Sequence, residues 1–89
     1  MSRQHIYLKC ETEYFQAIEK GLKTFEVRKN DRLYEIGDLL YLQEVVGDIF
    51  TGREIRGCEI IYILPGGKFG IDPDYFVMQL KIPKKGVTK

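Results

Sequence analysis

Residues 23 to 32 read "KTFEVRKNDR", four positive and two negative side chains in ten positions. Lysine and arginine donate to phosphate and carbonyl oxygens, and a carboxylate set between them accepts from an exocyclic amine. A mixed-sign group of this kind recognises the edge of a base better than it attracts a phosphate backbone. From Thr24 the period is two, which puts Phe25 and Val27 on one strand face and Thr24, Glu26 and Arg28 on the other. Strict alternation sets Lys23 opposite Glu26, so Lys23 joins Glu26 and Arg28 only if the strand begins after it. The same residues also suit a solvated face with surface ion pairs, each worth about 0–1 kcal/mol. Charge alone favours that plainer reading.

The elements that must position these residues are short. "HIYLKC" alternates Ile6, Leu8 and Cys10 against His5, Tyr7 and Lys9, the pattern of a half-buried strand. "ETEYFQAIEKG" predicts a helix of about three turns, with Thr12 as cap and Tyr14, Phe15 and Ile18 on its core face. Gly21 closes it. After the strand at Thr24, "KNDR" and "EIGD" are turns, for which Asn30 and Asp31 have the right chemistry. "LLYLQEVV" is a strand apolar on both faces, "GDIFTGR" a hairpin connection, and "EIRGCEIIYIL" a long strand with Gly57 at a bulge or bend. The glycine-rich loop "PGGKFGIDPD" precedes a last strand, "YFVMQLKI", and "PKKGVTK" predicts a frayed basic end. The order β-α-β-β-β-β predicts a mainly β (α+β) fold, a small and mostly antiparallel barrel with one helix across it. Residues 1–83 form the single domain and 84–89 the basic tail.

The whole chain narrows the chemistry. Its 89 residues allow one modest core. A net charge of +1 and pI near 7.7 exclude a broad basic face, so any basic site is local. Two cysteines without a CxxC pair and one histidine predict packing thiols, no metal and no cofactor. No apolar stretch suits a signal peptide or membrane span, which predicts a soluble cytoplasmic protein.

At "GLKTFEVR" the chain resembles the ASCH domains of the PUA-like superfamily, whose signature is a Gly, a Lys two residues on, and a Glu and Arg closing the next strand. Here these are Gly21, Lys23, Glu26 and Arg28. "EYFQAIEKG" looks like the helix before the signature, and "IGD" like the turn before the third strand. "HIYLK", "KTFEVRKNDR", "TGRE" and "GGKFGI" resemble a small, functionally uncharacterised ASCH-like group of bacteria and phages. The resemblance spans almost the whole chain. It implies a PUA-like barrel whose cleft, between helix and barrel, holds RNA, a nucleotide or a nucleoside. Lys23, Glu26 and Arg28 would be the centre of that cleft, with Lys29, Asp31 and Arg32 as its rim.

Second-rank candidates are His5, the lone imidazole, and Lys68 and Phe69, whose loop can reach over the cleft to stack on a base or, for Phe69, plug the barrel end. Gly66 and Gly67 suit a hairpin turn. Some small ASCH-like proteins hydrolyse N4-acetylcytidine with a Lys, a Thr and a distant Glu. Lys23 matches that Lys, but Glu26 stands where the Thr would be, Thr24 lies two residues earlier, and "PGGKFGIDPD" has no Glu. An amidohydrolase would therefore draw on Lys23, Thr24 and Glu26. A third reading is a protein-interaction domain using exposed aromatics such as Tyr34 and Phe50.

Overall fold

The computed structural model describes residues 2–84 and the backbone of 87–88. The elements are β1 (His5–Glu11), α1 (Thr12–Glu19), β2 (Phe25–Lys29), β3 (Leu39–Val46), β4 (Ile49–Pro65), β5 (Tyr75–Lys81) and β6 (Val87–Thr88). The expected order holds as far as β5. β6 pairs with Glu54 and Ile55 of β4, so this part of the tail is paired where fraying was expected; residues 85, 86 and 89 lie outside the described residues.

The sheet runs β1-β3-β4-β5-β2. β1 lies parallel to β3 and the other pairs are antiparallel. It curls into a half-barrel, and where a closed barrel was expected its end strands, β1 and β2, face each other across an open seam.

The curl follows from alternation and glycine. In β1 Ile6, Leu8 and Cys10 are buried and their neighbours exposed. Leu40 pairs with Cys58 but Leu42 with Ile55, so β4 carries one extra residue there, and Gly57 at φ +78° takes the left-handed conformation that this bulge needs. The β3–β4 connection is only Gly47 and Asp48; "IFTGR", expected as connection, already belongs to β4. The "EIGD" turn is held by buried Asp38, which accepts from the Glu35 N–H and from the backbone and side chain of Gln4, each at 2.9 Å.

The helix has eight residues, about two turns rather than three. It packs on β1 and β3, with Phe15 and Ile18 fully buried. Thr12 does not cap it. Glu11 is the N-cap residue and makes no side-chain cap bond, while Thr12 Oγ1 donates to Glu44 Oε2 at 2.6 Å. Thr51 donates to Glu44 Oε1 at 2.6 Å, and Arg53 pairs with Glu19 and lies 4.0 Å from Glu44. A buried carboxylate thus ties both ends of α1 to the β3–β4 hairpin.

The two threonine hydroxyls, aided by Arg53, hold Glu44 below the ordinary carboxylate value of 4.5 against the opposing effect of burial. A folded-state pKa below the unfolded one stabilises fully above the unfolded value, and this is lost as pH falls through the folded value. Glu44→Gln should therefore cost about 2 kcal/mol at neutral pH, and the difference from the parent should shrink below pH 4.5. Urea unfolding across pH 3–7 measures both effects, and a constant difference would exclude this role.

Candidate functional site

β2 is inside out relative to the apolar pattern. Glu26 is 4% exposed, whereas Phe25 and Val27 are 44% and 51% exposed. The solvated-face reading therefore fails for Glu26. Burying a carboxylate is tolerable only when it is paired and hydrogen-bonded, and its partners are close. Lys23 Nζ donates to Glu26 Oε1 at 2.8 Å. Arg28 donates to Oε2 from Nε at 2.9 Å and approaches it with Nη2 at 2.8 Å. β2 starts at Phe25, so Lys23 precedes the strand and is free of its alternation.

The group spans the seam. Arg28 Nη2 donates to the Lys9 carbonyl of β1 at 2.6 Å, and Lys23 Nζ to the Phe25 carbonyl at 2.6 Å. Around it lies a cleft of about 670 Å³ lined by Lys9, Cys10, Glu11, Tyr14 and residues of β2, with Lys23 at the helix end. Lys23 Nζ lies 4.8 Å from the Phe25 ring centroid and 5.7 Å from that of Tyr14. Tyr14, expected in the core, is half exposed and forms a cleft wall. The helix that carries Phe15 and Ile18 inward turns Tyr14 toward the seam.

The donor inventory defines what this cleft can bind. Lys23 has three N–H donors and two are used; Arg28 has five, and its bonds leave the pair on Nη1. The cleft thus offers spare donors and two aromatic walls, which suits an acceptor-rich planar ligand.

Lys29, Asp31 and Arg32 do not line this cleft. With Arg28, Val27, Tyr34 and Tyr75 they line an adjoining hollow of about 270 Å³, so they form a rim beside the centre. Thr24 is exposed and outside the cleft lining; its carbonyl accepts the Leu80 N–H at 2.8 Å. His5 is elsewhere, with Nδ1 2.8 Å from the Tyr41 hydroxyl. Lys68 and Phe69 line neither hollow, and Phe69 is 82% exposed, so it plugs nothing. Gly66 is fixed by crowding, since a Cβ there would strike the carbonyls of Asp72 and Tyr75. Tyr34 is buried edge-on against Phe76 and offers no docking surface.

Sequence reasoning also missed Cys10 as a lining residue, although its inward parity at the end of β1 was the available signal. Burial and the nearby Glu26 push its thiol up to about 11, and burial pushes Cys58 to about 12.

The family described as Domain of unknown function (DUF3850) matches residues 5–80, and this chain belongs to it. The chain is also similar to the uncharacterized 12.9 kDa protein in the GpA 3' region of Escherichia phage P2, with 46% identity over 49 residues. That match covers 55% of this chain and 45% of the phage protein. Among the described residues no helix is long and apolar enough to cross a membrane.

Two outcomes follow from the geometry. Glu26→Ala leaves two partly buried cations without a counter-ion and should cost about 3 kcal/mol in urea unfolding, the low end for a broken buried pair because both cations keep some exposure, whereas Lys29→Ala should stay within about 0.5 kcal/mol. Iodoacetamide at pH 8 should leave both thiols largely unmodified in the native protein and alkylate them readily in urea; fast native labelling of Cys10 would contradict its environment.

Proposed function

We propose that this member of the family is an ASCH-like, PUA-like domain that binds RNA or a nucleotide-like ligand in the seam cleft. One observation carries the reading: Lys23 Nζ, with a spare N–H, lies near the exposed rings of both Tyr14 and Phe25 in the cleft that Arg28 also lines. The rings supply faces for a base, and the donors supply partners for a phosphate or base carbonyl. The cluster includes the signature residues Lys23, Glu26 and Arg28, and Gly21, at φ +78°, turns the chain out of α1 toward them. With a net charge of +1, affinity comes from fit rather than from bulk attraction.

Hydrolysis of an N4-acylated cytidine-like nucleoside is less well supported. Lys23 lines the cleft, but exposed Thr24 does not. A docking role through Phe50 remains the alternative if nucleotides do not bind.

An amide NMR titration with CMP, AMP, N4-acetylcytidine and a short single-stranded RNA tests the reading. Shifts should concentrate on residues 9–14 and 23–28, and Arg28→Ala should weaken binding about tenfold, the worth of one charged hydrogen bond of roughly 1.4 kcal/mol. The salt slope should be shallow, about −0.7 per phosphate contacted. No response at millimolar ligand would overturn the proposal, and release of cytidine from N4-acetylcytidine would replace it with hydrolysis.

A further inference from the structure

The outer face of the sheet carries a second aromatic and cationic group that the cleft does not use. Tyr7 of β1 and Tyr41 of β3 are register partners, and their rings stack with centroids 4.7 Å apart and planes at 18°. The Arg56 guanidinium of β4 lies 5.2 Å from the Tyr41 centroid, held at its other side by Glu54 at 2.7 Å. The contact between His5 Nδ1 and the Tyr41 hydroxyl anchors that ring. Two residues beyond Tyr7, Lys9 shares the outward parity, and its ammonium lies 5.7 Å from the Phe50 centroid. Same-face residues two apart on a strand are about 6.6 Å from each other.

Lys9 joins the two regions. Its side chain belongs to the outer face, while its carbonyl accepts Arg28 and it lines the cleft. Cross-strand stabilisation of the sheet accounts for Tyr7 with Tyr41. It does not account for a row of rings, with Lys9 and Arg56 side chains 55% and 50% exposed, that ends at the lip of the cleft. Asp48, at 3.7 Å from Lys9, and Glu54 offset both cations, so this face attracts by stacking more than by charge. Tyr7 covers one face of the Tyr41 ring and Arg56 the other, so the face left for a base is the outer face of Tyr7, and an exposed ring beside a cation takes a base with little sequence preference.

We infer that this face is a stacking track for a single-stranded polynucleotide that continues from the cleft, past Lys9, onto the free face of Tyr7, which Tyr41 and Arg56 back from behind. The inference rests on the nucleotide reading of the cleft and makes its ligand a strand rather than a lone nucleotide.

Calorimetric titration of the full chain with CMP, the dinucleotide CpA and the tetranucleotide CACA tests it. Affinity should rise at least tenfold from CMP to the tetranucleotide, since each stacked base contributes roughly that factor or more. Tyr7→Leu and Tyr41→Leu should each remove most of that gain and leave CMP binding unchanged; thermal melts check folding, and Tyr7→Leu serves if Tyr41→Leu does not fold. Equal affinity for CMP and tetranucleotide, or tetranucleotide binding unchanged in both variants, would overturn the track. Tetranucleotide binding that depends on Tyr41 without any CMP binding would support the track and remove the cleft reading, while binding of neither would remove both.

Discussion

The Glu26 carboxylate, set between Lys23 and Arg28, explains why this sheet stops short of closing. A strand pairing across the seam would take the outward carbonyls of β1 and β2. Arg28 already takes one, at Lys9, and Lys23 takes another, at Phe25. Both cations are oriented by the same buried carboxylate. Side-chain donors thus stand where ladder bonds would otherwise run, and they blunt two open edges that would invite another strand. The cleft is the space this substitution leaves.

A second buried carboxylate, Glu44, repeats the construction beside the helix. Glu44 takes Thr12 from the start of α1 and Thr51 from β4, and Arg53 links it to Glu19 at the end of α1. Arg53 also lies 5.3 Å from the Phe15 ring centroid, so polar and apolar contacts fix the same helix. Such networks specify an arrangement more than they add stability, because breaking one partner strands the others. Fixing α1 fixes Tyr14, and with it one wall of the cleft. The two networks differ in their donors: Glu44 has two neutral threonine hydroxyls and a more distant arginine, whereas Glu26 has two cations that line the cleft.

Much of this was legible in the chain. The parity of β1, the glycine that ends the helix, the bulge at Gly57 and the element order all follow from local rules of period and backbone freedom. The grouping of Lys23, Glu26 and Arg28 was legible too. What eluded sequence reasoning is non-local. Alternation gives two faces of β2 but not which is buried, and the apolar face, Phe25 and Val27, proved the outer one. The decision was made by partners from outside the strand, Lys23 and the Lys9 carbonyl. In "LLYLQEVV" the apolar neighbours drew attention from Glu44, whose partners lie 32 and 7 residues away. Lys68, Phe69 and His5 had suitable chemistry, but the fold directs them away from the cleft.

The mixed sign of the centre restricts what it can hold. An anion alone can occupy the free donors of Lys23 and Arg28, yet drawing either cation outward weakens its bond to Glu26, and an anion brings no donor to replace it. Leaving a buried carboxylate oxygen unpaired costs about 1–3 kcal/mol or more. A ligand that carries an acceptor beside a donor, as the amino and carbonyl groups of a base edge do, can draw on the cations and return a hydrogen bond to Glu26 in one placement. On the proposed reading, discrimination between a base and a bare phosphate would arise from the carboxylate that the cations already share. A buried negative charge between cations would then be the selecting element of the proposed site and not a flaw in it.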